Sequence, residues 1–203
     1  LLKHNYREIV MFKSSSIIKT NEAALLMAFS GLSVAGDSYI AANIGFIDAY
    51  EKVTADEFGD PIEPFTLETT LTALNARLGK HYGEYFSAEV RLGAGLGDDV
   101  IEIDGEDSIA NLEIRDMYGI YARAGTRIAE RFYPYALIGY SHANLEGSID
   151  GFTAEGDLGG VSYGLGLDIE IKRDLSANIE YISYFDSLGL ELSGFSLGLS
   201  RAF

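Results

Sequence analysis

Nine charged residues fall at alternating positions inside or beside apolar runs: Arg77, Glu89, Arg91, Glu113, Arg115, Arg123, Asp168, Glu170 and Glu180. Four arginines against five carboxylates is close to balance. The chemistry open to them is mutual ion pairing in a confined interior, where an unpaired charge is not tolerated. The spacing puts Arg77 near Glu89 and Arg91 across one short turn. Across another it sets Asp168 against Glu180, a like-signed pair that needs an arginine from elsewhere or a shared proton. These residues are expected to close an interior with ion pairs.

Other chemistry is thinly represented. The 203 residues contain no cysteine, so disulfides, thiolate metal sites and cysteine nucleophiles are excluded. A formal charge of -16 excludes a polyphosphate partner, so no nucleic acid is expected. Nothing points to a cofactor. The acidic stretch GDDVIEIDGEDS (97–108) spaces oxygen ligands for a hard cation but lacks the ordered ligands and sixth-position glycine of an EF-hand loop. It reads either as a weak Ca²⁺ or Mg²⁺ site bridging anionic lipid or as a solvated anionic surface.

The elements that must position these residues read as strands. Twenty-three glycines, thirteen tyrosines, eleven phenylalanines and three prolines tilt the composition toward β-structure. From Phe86 to Leu96, Phe86, Ala88, Val90, Leu92, Ala94 and Leu96 fall on one face, and Ser87, Glu89, Arg91, Gly93 and Gly95 on the other. Segments of this kind predict eight strands, at 38–47, 67–79, 85–96, 109–124, 132–145, 161–171, 175–185 and 190–203. Short links carrying Lys80, Arg127, Arg131, Lys172 and Arg173 alternate with long acidic ones in which Lys52 is the one base. An even number of meandering strands with short turns at one rim and long loops at the other predicts an all-β, eight-stranded antiparallel up-and-down transmembrane β-barrel.

Alternation alone does not say which face is inside, but side-chain size does. The interior of an eight-stranded barrel is only wide enough to be filled by side chains. The face bearing Gly93, Gly95, Gly119, Gly164, Gly166 and Gly198 is therefore the inner one, and the nine charges share it. Tyr82, Tyr85, Phe86, Phe132, Tyr133 and Tyr135 are expected to ring the short-turn side, and Phe46, Tyr140, Tyr184 and Phe185 the long-loop side. Asp116 falls on the outward face, where a bulge or a rim position would accommodate it. In the fifth strand the pattern leaves open whether Tyr135 and Leu137 or Ala136 and Ile138 face out.

Before Gly36 the chain has another character. A basic start at Met11, an apolar core from Ala23 to Leu32 and a Ser33-Val34-Ala35 ending are the three parts of a secretory signal peptide. The expected organisation is upstream read-through over 1–10, a signal peptide over 11–35 cleaved between Ala35 and Gly36, and a barrel over 36–203. Cleavage leaves 11 basic and 29 acidic residues.

Over Gly36 to Phe203 the stretches ALNARLGKHYGEYFSAEVRLGAGLGDD, RFYPYALIGYSHANLEG, SYGLGLDIEI, NIEYISYFD and FSLGLSRAF come in an order and spacing that resemble the OmpA-like and OmpX-like outer-membrane β-barrel superfamily. Within it, the chain is similar to the single-domain outer membrane β-barrel proteins of the porin family. The resemblance implies an integral outer-membrane protein with both termini periplasmic, in contact with lipid and lipopolysaccharide and monomeric. It also implies a C-terminal insertion signal at Ser196, Gly198 and Phe203, read by the assembly machinery, with Arg201 departing from the usual hydrophobic pattern. No OmpA-type peptidoglycan-binding domain is expected after Phe203. PagL-like lipid A deacylases of the same membrane place a serine two residues after a strand histidine. Here Asn144 stands two residues after His142, and Glu146 follows too soon to serve as the acid. A non-enzymatic structural or surface-interaction role is expected, with a small diffusion pore and a lipid A-modifying enzyme as the alternatives.

Overall fold

The computed structural model describes residues 37–55, 61–187 and 190–203. The expected leader, its Ala35–Gly36 junction and the segment before it lie outside these residues. Nine extended segments follow one another: β1 (Ser38–Ala55), β2 (Pro61–Tyr82), β3 (Phe86–Gly95), β4 (Asp98–Ile103), β5 (Glu106–Gly125), β6 (Phe132–Ile149), β7 (Phe152–Lys172), β8 (Leu175–Ser187) and β9 (Leu190–Ala202). β3 and β4 are two pieces of one stave, parted at Gly97, whose φ of 143° is a conformation that favours glycine. Each stave pairs antiparallel with its neighbours, and β1 pairs with both β2 and β9. Through its lower half the sheet is a closed ring of eight staves, so its backbone polar groups there are satisfied around the whole circumference. At the seam the Phe203 N–H donates to the Ser38 carbonyl at 2.9 Å.

Size decides the faces. Tyr39 and Tyr135 point inward, and each ring lies over a glycine of the next stave. A Cβ added to Gly79 would stand 2.2 Å from the Tyr39 ring, and one on Gly166 would stand 2.3 Å from that of Tyr135. Outward, Ile40, Ile44, Leu74, Leu92, Ile120, Ile138, Leu165, Ile179, Leu197 and Leu199 form an exposed apolar belt. Tyr82, Tyr85, Phe86, Phe132 and Phe203 border it at the short-turn rim, and Phe46, Tyr140, Tyr163, Tyr181 and Phe195 border it at the other. Phe46, Phe195 and Tyr181 are consecutive cross-strand partners, with the last two rings 4.8 Å apart. Of the aromatics expected to face out, Tyr133, Tyr135 and Tyr184 are turned inward and buried. The open question over the expected strand 132–145, here β6, is answered with them: Leu137 is buried beside Tyr135, and Ala136 and Ile138 face out.

Much of the expected loop structure is strand. β1 and β2 remain paired as far as Ala55 and Pro61, and β6 and β7 as far as Ile149 and Phe152. Beyond the second aromatic ring the polarity of the wall inverts. Outward groups become polar: the Thr70 hydroxyl donates to Asp48 at 2.8 Å, and the Asn144 amide donates to Asp116 at 2.8 Å. Inward groups become apolar: Ile47, Leu71, Ile114, Leu145, Ile182 and Leu192 are each at most 1% exposed. This half is built like a small water-soluble barrel, and burial of these six side chains stabilises it by roughly 1.5–3 kcal/mol apiece.

One irregularity changes the reading of a whole strand. The β5–β6 register slips at Ile114/Asp116, with Arg115 as the extra residue of a β-bulge. Before it Ala110, Leu112 and Ile114 point inward; after it Met117, Gly119, Tyr121 and Arg123 do. A slip of one residue exchanges the two faces of a strand. Glu113 and Arg115, expected inside in phase with Arg123, are therefore on the outer wall.

Candidate functional site

The interior of the belt holds a compact layer of charge contributed by five staves. Arg77 comes from β2, Glu89 and Arg91 from β3, Arg123 from β5, Asp168 from β7 and Glu180 from β8. Arg77 and Arg91 are direct cross-strand partners, an unfavourable placement for like charges. Two carboxylates resolve it. Glu89 lies 3.2 Å from Arg77 and accepts from the Arg91 Nε at 2.8 Å, while Glu180 lies 3.0 Å from Arg77 and accepts from Arg91 Nη1 at 2.8 Å. Arg123 joins Glu89 at 2.6 Å to Asp168 at 2.6 Å. The like-signed Asp168 and Glu180 are thus each served by arginines of other staves. Three positive and three negative groups leave no net charge in the layer.

Tyrosines complete it. Tyr39 donates to Glu89 and Tyr135 to Glu180, each at 2.5 Å. The Arg123 guanidinium stacks 3.5 Å from the centre of the Tyr135 ring, and that of Arg91 lies 4.4 Å from the centre of the Tyr121 ring. The alternation pattern does not by itself mark these tyrosines as partners of the charges. The signal for Tyr121 is plain in the sequence, because it stands two residues from Arg123 and so on the same face; Tyr39 and Tyr135 carry no comparable mark.

Above the charges, toward the long-loop end, Asn43 donates to Asn178, and Ser162 links Ser141 at 2.8 Å to the Tyr184 carbonyl. A cavity of about 20 Å³ lies beside Arg77, Arg91, Glu180, Asn43 and Ser196, large enough for a single water. The apolar storey of Ile47, Leu71, Ile114, Leu145, Ile182 and Leu192 caps it.

The remaining members of the expected set lie elsewhere. Glu170 sits at the short-turn rim, where it accepts from Arg127 at 2.6 Å. Arg115 reaches across the outer wall to Glu146 at 3.2 Å and to Glu155. Ser196 faces the lumen, Gly198 packs against Asn43, and Phe203 is exposed at the seam. Arg201 donates to Asp174 at 3.2 Å. On the outer wall the His142 ring stacks on Tyr118 at 4.9 Å, and the Asn144 amide is engaged by Asp116. In the acidic stretch 97–108, Asp104 accepts from the Thr66 N–H at 2.9 Å. Among the described residues no three acidic or histidine side chains converge as a metal site.

A family model described as the outer membrane protein beta-barrel domain matches residues 23–203. Solved structures of the same fold include Ail, the attachment invasion locus protein of Yersinia pestis, at 15% identity and a TM-score of 0.54, covering 82% of this chain and 97% of that one. Neisserial surface protein A matches at 12% identity and a TM-score of 0.54, covering 83% and 98%. OprG from Pseudomonas aeruginosa matches at 15% identity and a TM-score of 0.54, covering 83% and 96%. Ail has also been solved in complex with a heparin analogue, sucrose octasulfate, and that structure matches with a TM-score of 0.52. No curated protein matches the sequence.

Proposed function

The chain belongs to the outer membrane protein beta-barrel domain family, an integral β-barrel of the outer membrane, and from that premise we propose that it is a closed, non-enzymatic, monomeric barrel that presents an acidic surface outside the cell. The observation that carries the reading is the two-storey interior, in which a neutral layer of buried ion pairs lies beneath a layer of buried aliphatic side chains. A solute would have to break both in succession. Reconstituted protein in a planar bilayer is expected to give no steady conductance; stable single-channel steps would instead favour the small diffusion pore.

The orientation rests on the two rims. The short turns, the start of β1 at Ser38, the end of β9 with Phe203, and the basic residues Lys80, Arg127, Arg131, Lys172 and Arg173 share one end, which we place in the periplasm. The opposite end carries most of the acids and stands beyond the upper aromatic ring, at the level of the lipopolysaccharide head groups. Lipid and lipopolysaccharide are its immediate neighbours, and the C-terminal strand with Phe203 is the part offered to the assembly machinery. Ail accommodates a polyanion; an outer half this acidic favours a partner of the opposite sign. The enzyme reading is weakened at its own residues, because His142 is occupied by a stacking contact and Asn144 offers no nucleophilic hydroxyl.

A further inference from the structure

The short-turn rim is unevenly charged. Two of its bases are engaged by carboxylates: Arg127 donates to Glu170 at 2.6 Å, and Arg201 donates to Asp174 at 3.2 Å. At one corner the cations are free. Arg131, Lys172 and Arg173 are exposed, and among the described residues no carboxylate pairs with their side chains and no hydrogen bond holds them. Glu130 is the carboxylate beside them in the chain, and three bases against this one acid leave the corner positive. On a chain of formal charge -16 that excess runs against the average.

Two hairpins bring these cations together. Ile128 and Phe132 exchange backbone hydrogen bonds at 2.7 and 3.1 Å, which closes the link between β5 and β6 into a tight turn. Ala129 and Glu130 lie in that turn at φ of 50° and 62°, a region costly for residues other than glycine, and the Arg127 side chain clamps it by donating to the Glu130 carbonyl at 2.9 Å. Arg131 follows, and its carbonyl accepts from the Glu170 N–H at 2.8 Å. Lys172 and Arg173 come just after Glu170, where β7 turns into β8. The wall above them is apolar. Ile128, Phe132 and Ile169 are successive cross-strand partners, and Ile128, Phe132 and Ile171 are exposed. A soluble anion would use the cations and leave this wall bare; a phospholipid uses both, with acyl chains on the wall and its phosphate among the cations.

We propose that this corner is a binding site for an anionic phospholipid of the periplasmic leaflet, with its phosphodiester on Arg131, Lys172 and Arg173 and its acyl chains on Ile128, Phe132 and Ile171. The proposal rests on the orientation inferred above, which sets this rim in the phospholipid leaflet and not in the lipopolysaccharide one. A phosphatidylglycerol head group carries net negative charge and meets the excess of the corner. A zwitterionic head group brings its own ammonium into the same space and gains less. Arg131 and Arg173 offer forked N–H donors to the phosphate oxygens, and Lys172 adds a point charge.

The test uses the full chain refolded in nanodiscs of equal parts phosphatidylcholine and phosphatidylglycerol, with the lipids it retains read by native mass spectrometry. Phosphatidylglycerol is expected to be retained over phosphatidylcholine. A nitroxide on its head group is expected to broaden the amide signals of Arg131, Lys172 and Arg173 before those of Gly83 and Glu84, on another turn of the same rim. Combining Arg131→Gln, Lys172→Gln and Arg173→Gln is expected to lower retention about tenfold while heat-modifiable migration shows the barrel still folded. Arg201→Gln, which removes a base already paired with Asp174, is expected to leave retention unchanged. Equal retention of the two lipids, retention indifferent to the triple substitution, or broadening spread evenly around the rim overturns the proposal. Orientation is read separately, by labelling Asp150→Cys in intact cells with a maleimide that does not cross membranes. An unlabelled tip overturns the orientation, while the refolded chain still shows whether the corner selects the anionic lipid.

Discussion

Glu89 takes part in more of the ion-pair layer than any of its neighbours. It meets Arg77, Arg91 and Arg123 and accepts from the Tyr39 hydroxyl. Neutralising it leaves three guanidinium groups to share Glu180 and Asp168 beside a cavity with room for a single water. Glu89→Gln keeps the shape, removes the charge and turns one of its two acceptor oxygens into an N–H donor. It is expected to destabilise the barrel by about 3–5 kcal/mol, the usual cost of stripping one partner from a buried ion pair. Urea titration in detergent, read by heat-modifiable gel migration, measures this; a shift within error of the parent would mean that the layer is not an electrostatic unit. Exposed pairs such as Arg201 with Asp174 are worth far less, and their removal is expected to go unnoticed in the same assay.

At the scale of elements, the bulge at Arg115 makes the sharpest prediction. It turns Leu112 inward and Glu113 outward, the reverse of an unbroken alternation. The chain has no cysteine of its own, so single cysteines report cleanly. Glu113→Cys in the folded barrel is expected to react with a water-soluble maleimide at least about tenfold faster than Leu112→Cys, as accessibility governs thiol modification. Equal rates, or the reverse order, would place the bulge elsewhere.

The same bulge shows where the sequence stops being legible. Period-2 alternation revealed the eight staves of the belt, their order and the inner face, since glycine and charge share that face from Glu89 and Arg91 to Asp168 and Glu180. Six of the nine charges expected inside meet there. Glu113 and Arg115 do not, because one inserted residue leaves no trace in composition while exchanging the faces. Glu170 lies one pleat too near the rim. The upper staves look like loops in the sequence for a different reason: past the aromatic ring water replaces lipid, so the inner side becomes apolar at Ile47 and Leu71 while the outer becomes polar at Asp48 and Thr70. The alternation persists in phase with its polarity inverted, and an acid-rich stretch of that kind resembles a loop. Tyr133, Tyr135 and Tyr184 escaped because an aromatic near a rim fits either a girdle or a barrel interior, and only the pairing register decides.

For the whole molecule, closure of the ring depends on its last residues. β9 pairs with β1 from Leu190 to Ala202, and the Phe203 N–H reaches the Ser38 carbonyl. Deleting Phe203 is expected to lower the amount of heat-modifiable barrel in the outer membrane several-fold. Export should be untouched, so the periplasmic species should begin at Gly36, as N-terminal sequencing would show. Normal outer-membrane levels of the deletion would remove Phe203 from the insertion signal. A polar interior inside the belt and an apolar one above it also mean that neither half is a stable body in the other's surroundings. Folding of the upper half is therefore expected to wait on insertion of the lower.

The unequal hairpins have a consequence for reach. From Tyr163 at the upper ring to Phe152 at its tip, β7 climbs about eleven residues, and at the tilt of a barrel stave this amounts to roughly 25–30 Å above the hydrocarbon. In the orientation proposed above, the tip at Asp150 and Gly151 stands higher in the lipopolysaccharide layer than Ser187 and Leu190, the last paired residues of β8 and β9. A cell whose outer saccharides are short is then expected to display the whole protruding half; one with long chains is expected to veil the upper ends of β8 and β9 first and the tip of the β6–β7 hairpin last. Shielding by the cell's own coat is therefore expected to be graded, and antibodies against the β6–β7 tip and against the upper end of β9 are expected to lose their targets at different chain lengths.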